Sequence, residues 1–163
     1  MIDFLVNLVK NLPPEVATFI LAMLPVTELR ASIPIGIGVF GLHPISAFFF
    51  SIIADLIPAF MIMTFLKPIS LWLSKKSELF NRLFNWWFDR SLKRFSRKYE
   101  KYGVWALMIF VAIPLPITGA WTGATAAYLL DIPRKKALPF IFAGVVVAGI
   151  IVTFISVGAF RLI

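Results

Sequence analysis

The chain has 163 residues, of which 60% are hydrophobic and 15% charged, with a net charge of +8 and no cysteine. This mix lies far from that of a soluble domain, and the missing cysteine excludes disulfides and thiolate-held metals. The positive charge does not call for nucleic acid, because the basic loops of a membrane protein stay cytoplasmic and carry such an excess by themselves.

Residues 1–12 lack the basic start and small-residue cleavage site of a signal peptide. Leu5, Leu8, Val9 and Leu12 share a helical face, which predicts a short interfacial helix ended by Pro13-Pro14. A first repeat is expected over 13–66. It opens with a helix from Glu15 to Leu24, only about 15 Å long and half a bilayer in reach. Pro13 and Pro14 suit its first turn, and Pro25 ends it. A break follows, then a short piece from Ile35 to Phe40, a turn at Gly41-Leu42-His43-Pro44 and a full span from Ile45 to Leu66.

Residues 67–103 are expected to form a cytoplasmic linker. Phe80, Phe84, Trp87, Phe88, Phe95, Tyr99 and Tyr102 recur at helical spacing among arginines and lysines. That pattern predicts a basic amphipathic helix on the membrane surface, acting as a brace between halves or as a gate or lipid sensor. The second repeat, 104–163, runs in the same order. It has a half-helix from Val104 to Ala112, a break, a short helix from Thr122 to Leu130, a turn at Asp131-Ile132-Pro133 and a charge-free span from Ala137 to Phe160.

The two breaks are the centre of the reading. The first holds Pro25, Thr27, Pro34 and Gly36; the second holds Pro114, Pro116, Thr118, Gly119 and Gly123. Paired broken apolar segments mark a transporter-type site built on inverted repeats. Irregular backbone at membrane depth is tolerated only where protein or a wet cavity satisfies it. If each broken pair is re-entrant, the ten basic residues from Lys67 to Lys101 and the three at Arg134–Lys136 share the cytoplasmic side. If each crosses as a kinked helix, Arg134–Lys136 lie outside. The positive-inside rule favours the re-entrant arrangement.

Three ionisable residues fall inside apolar stretches: Glu28, Arg30 and Asp55. A charge at mid-membrane needs a partner or a cavity, and defaults to function. Glu28 and Arg30 either face one cavity, bind substrate and carry protons, or form a structural salt bridge across the break. Asp55 is a second candidate proton carrier, or a hydrogen-bond acceptor for freed amides or Arg30. Thr27 and Thr118 sit where short helices begin, as N-caps or as parts of an anion site with Arg30. Trp121 is a candidate cavity wall, and Gly36, Gly119 and Gly123 permit close packing. His43 stands alone in a turn, and no catalytic or metal-binding motif is present, so neither an enzyme nor a cofactor is expected.

The segments Glu28-Leu29-Arg30-Ala31-Ser32-Ile33-Pro34-Ile35-Gly36 and Pro114-Leu115-Pro116-Ile117-Thr118-Gly119-Ala120-Trp121-Thr122-Gly123 resemble the two signatures of the small multi-drug export family of bacteria and archaea. Ile117 stands where the second signature ordinarily has glycine. That family resembles the broad DedA (VTT) superfamily, with two re-entrant loops each followed by a transmembrane helix. The resemblance implies lipid handling, either recycling of undecaprenyl phosphate or scrambling, with Glu28 and Arg30 as the matching loop chemistry. The expected protein is an all-α, multi-pass protein of the cytoplasmic membrane with a DedA-like inverted repeat. Its expected activity is secondary transport or flipping of an amphipathic anion such as a lipid-linked phosphate. Arg30, Thr27, Thr118 and Trp121 would hold substrate, and Glu28 and Asp55 the coupling proton. The rivals are proton-coupled export of small molecules and a non-transporting scaffold. Membrane lipids, protons and further copies of the chain are the expected partners, since one small chain barely encloses a path.

Overall fold

A computed structural model describes residues 2–76, 103–115 and 118–162. Among the described residues the protein is all helix: α1 (Ile2–Val9), α2 (Pro14–Met23), α3 (Glu28–Gly38), α4 (Pro44–Lys76), α5 (Trp105–Ala112), α6 (Ala120–Leu129) and α7 (Arg134–Leu162). Most of the expected linker helix, at 77–102, and Pro116 and Ile117 of the second break lie outside the described residues. Residues 67–76, read as linker, instead continue α4.

The two short helices end for the same reason. A residue before proline is pushed out of the helical region by the proline ring. Leu24 precedes Pro25 and takes ψ 138°; Ile113 precedes Pro114 and takes ψ 114°. Pro13 and Pro14 flank the start of α2 as expected, with Pro14 at its first position, where a missing N–H costs nothing.

Three residues read as parts of the breaks are not. Pro34 and Gly36 lie inside α3, and Gly123 lies inside α6. The first break is only Leu24–Thr27; α3 then runs through Pro34, which merely withholds the N–H that would bond the Arg30 carbonyl. Gly36 gives room to Thr18 and Ala47, and Gly123 to Val111. Their smallness serves packing between helices, not chain irregularity.

The first short helix of each half packs on its own long helix, α2 on α4 and α5 on α7. The second packs across, α6 on α4 and α3 on α7, with α3 lying equally against its own α4. The long helices run antiparallel: Arg134 at the start of α7 bonds Thr64 at 3.1 Å, while Gly149 lies against Phe48 and Ile52. Arg134 also sits 5.5 Å from the centre of the Phe60 ring. The stretches Pro44–Leu66 and Arg134–Phe160 have mean hydropathies of 2.1 and 2.7 and are long enough to cross a bilayer. Their outer faces are apolar: Ile45, Phe49, Ile53 and Phe60 on α4, and Phe142, Ile151, Ile155 and Phe154 (76% exposed) on α7. A soluble monomer rarely shows so large an apolar surface, and the chain is a membrane protein.

Gly144 lies against the backbone of α5. A Cβ there would meet the Met108 carbonyl at 2.8 Å and Val111 at 2.7 Å. Backbone cannot step aside as a side chain can, so Gly144→Leu is expected to prise α5 from α7 and cost about 1–3 kcal/mol, the usual range for overpacking. A lowered unfolding midpoint in detergent checks this; an unchanged midpoint would mean that α5 is not docked as described.

Candidate functional site

The two breaks face each other across an open cavity of about 620 Å³, lined by Pro25, Thr27, Glu28 and Arg30 from the first half and Pro114, Thr118 and Trp121 from the second. Pairing brings together all four expected substrate residues and one of the two expected proton carriers.

Arg30 joins the halves. Its Nη1 donates to Glu28 Oε2 at 2.6 Å, and its Nη2 donates to Thr118 Oγ1 at 2.9 Å. Glu28 and Arg30 are two residues apart, a spacing that normally separates side chains on a helix. They meet because Glu28 is the first residue of α3 and takes φ +44°, a left-handed conformation. For a residue with a Cβ this costs on the order of 1–3 kcal/mol and tends to occur at functional sites.

The Glu28 carboxylate reaches the start of α6, where the Trp121 backbone N–H lies within electrostatic reach of it. Gly119, the residue that caps α6, has φ +143°, and a Cβ on it would overlap Glu28 Oε2. Glycine is therefore required twice over at 119, by conformation and by space. The anion-favouring end of α6 is filled by a carboxylate from the other half.

Neither threonine caps a helix with its side chain. Thr27 Oγ1 donates backwards to the Leu21 carbonyl. The Thr118 hydroxyl points back to the Ile113 and Leu115 carbonyls, both 2.7 Å away, while accepting from Arg30. Both therefore satisfy carbonyls freed where α2 and α5 stop. The N-cap expectation is corrected accordingly: the chain turns into each new helix before the hydroxyl can face its amides.

Asp55 is 0% exposed on α4, and neither carboxylate oxygen has a hydrogen-bond partner among the described residues. The expected bond to Arg30 or to freed amides is absent, though Asp55 lies within electrostatic reach of Glu28 and Arg30. Its position follows from register. The hairpin of α3 and α4 sets Gly36 against Ala47 and, one turn on, Ser32 against Ser51, whose hydroxyls bond at 2.8 Å. One turn further, Glu28 and Asp55 are the next pair. Ser32 and Ser51 escaped the sequence reading; their spacing of four from Glu28 and Asp55 was the available signal.

A second cavity of about 300 Å³ shares Arg30 and Pro114 with the first. Its remaining lining is mostly apolar, with Val152, Ile155 and Phe160 on α7 and Ser156 turned to its own helix at the Val152 carbonyl. Arg30 thus borders two mostly apolar cavities, of which the first has the more polar lining. Two buried donors on residues of the first cavity, Arg30 Nε and Trp121 Nε1, have no acceptor among the described residues.

No curated protein and no solved structure matches the chain. A family model does match, over residues 28–151, a stretch that begins at Glu28 and holds Arg30, Asp55, the second break and most of α7. The chain belongs to the family described as "Putative small multi-drug export protein".

Proposed function

We propose that this protein is a secondary transporter or flippase of the cytoplasmic membrane. It moves an amphipathic anion, with a lipid-linked phosphate as the best-fitting class, and couples this to protons through Glu28 and Asp55. The observation that carries the reading is Arg30 between two cavities, the first more polar in its lining than the second, with two donors near it that lack acceptors among the described residues. A head group rich in acceptors suits the first chamber and a hydrocarbon chain the second. Transport, not catalysis, is the activity.

The topology that serves this is two re-entrant helix pairs, α2–α3 and α5–α6, each followed by a span, related as inverted repeats. The reciprocal packing of short helices on long ones supports it, as does the meeting of two breaks at one cavity. This is also the arrangement that the DedA resemblance implies.

Coupling follows from counting charge. Glu28, Asp55 and Arg30 together carry −1 when all are ionised, which repels an anion. One proton on either acid makes the cluster neutral, and the anion can then enter. Export of small cationic molecules, in keeping with the family's description, would use the same acids, but Arg30 would oppose such a cargo.

Reconstituted vesicles test this. Flux of an alkyl phosphate is expected to rise with an imposed pH gradient in the native protein. Glu28→Gln and Asp55→Asn should still bind it while losing most of the response to the gradient. Flux of a lipophilic cation but not of the phosphate would favour the exporter instead. Flux that ignores pH in all three proteins would leave the acids a structural role.

A further inference from the structure

We infer that the Glu28 carboxylate is itself a tethered occupant of the anion seat, which the transported anion must displace. The inference rests on the anion reading of the cavity and says how that site is kept closed when empty of cargo.

The groups holding Glu28 are those that an anion would use. Arg30 Nη1 donates at 2.6 Å, the Trp121 backbone N–H at the start of α6 lies within electrostatic reach, and the bare Gly119 leaves space that an oxygen fills and a Cβ could not. A carboxylate and the oxygens of a phosphate or sulfonate make the same demand on such donors. The occupant also sits under tension, since Glu28 reaches the seat from φ +44°.

The seat is not used up by Glu28. Arg30 Nε and Trp121 Nε1 are buried at the same cavity with no acceptor among the described residues. Buried donors are nearly always paired in native proteins. Two left over among the described residues beside a filled seat suit a second acceptor group brought by the cargo.

Two charged groups face Glu28: Arg30 from its own helix and Asp55 from α4. The facing end of α6 offers N–H groups, and the second break offers the Thr118 hydroxyl. Asp55 repels the carboxylate and Arg30 holds it, so a proton on Glu28 removes the attraction that keeps it in place.

The test uses the full chain in detergent and octanesulfonate, a probe that stays ionised while carboxylates titrate. Calorimetry would give its affinity for the native protein, Glu28→Gln, Glu28→Asp and Asp55→Asn as pH is lowered through the carboxylate range. Glu28→Gln is expected to bind about tenfold tighter, the gain reflecting how rarely the native seat is free. The shorter Glu28→Asp should also bind tighter. Native affinity should rise on acidification, a rise lost in Glu28→Gln and kept in Asp55→Asn. If the native protein and Glu28→Gln bind equally, displacement is overturned while the anion site stands. If neither binds, the anion reading itself falls. Should Glu28→Gln fail to fold, a native affinity indifferent to pH overturns the inference without it.

Discussion

Arg30→Ala is expected to abolish transport while the chain still inserts in the membrane. The guanidinium makes two charge-assisted bonds, to Glu28 at 2.6 Å and to Thr118 at 2.9 Å, and so ties α3 to the second break. Each such bond is worth about 1.5–3 kcal/mol. If the anion takes over two of them, their loss lowers its affinity by on the order of a hundredfold or more. Arg30→Lys should recover only part, because one ammonium cannot present the fork that spans Glu28 and Thr118. The variant also strands Glu28, which is 5% exposed, without its cation. Breaking a buried pair from one side costs about 3–5 kcal/mol, so a stability defect could pass for a transport defect. Arg30→Ala combined with Glu28→Gln separates the two. Stability should return in the double variant and transport should not. Native flux in folded Arg30→Ala would remove the arginine from the mechanism.

Parts of this site were legible in the sequence because they depend on local chain physics. Leu24-Pro25 and Ile113-Pro114 end two half-length helices through a steric rule that needs no tertiary context. Intramembrane charge drew attention to Glu28, Arg30 and Asp55, and two of these three bond each other. Pro34, Gly36 and Gly123 lie inside helices rather than in the breaks, while the close packing expected at Gly36 and Gly123 is present, since proline and glycine have two uses in membrane helices, breaking the chain and admitting a neighbour. Only the packing tells them apart, and here Thr18, Ala47 and Val111 fill the glycine notches. Thr27 and Thr118 were placed correctly beside helix starts, yet their hydroxyls serve the helices behind them. That depends on how sharply each break turns. The polar ladder of Ser32 and Ser51 leading to Glu28 and Asp55 could have been found by stepping four residues from each acid. The border of two cavities at Arg30 could not, since Pro114 and Phe160 reach it from distant parts of the chain.

The topology carries a second large effect, because labelling is read as all or none. The chain has no native cysteine, so single cysteines report without background. Ile69→Cys, beyond the end of the first span, and Lys135→Cys, at the start of α7, should both react only with reagent admitted to the cytoplasm. His43→Cys, in the turn before α4, should react from outside. All three positions are exposed in the fold. Counting basic residues favours this pattern by only thirteen against two over twelve against three, and helix packing supports it more strongly. Arg134 bonds Thr64 at 3.1 Å, so the start of α7 lies beside the far end of the α4 span. At the other end, Phe160 of α7 packs against Gly38, close to the turn that opens α4. Between them α7 lies along α4 with Gly149 at Phe48 and Ile52. Two antiparallel spans in contact along their length must place Lys135 and Ile69 on one side of the bilayer. A kinked four-span arrangement would put Lys135 outside with His43, and would pull Arg134 away from Thr64 by the thickness of the membrane. Labelling of Lys135→Cys from outside intact cells would therefore defeat the re-entrant arrangement, and with it the pocket that two breaks on opposite halves share.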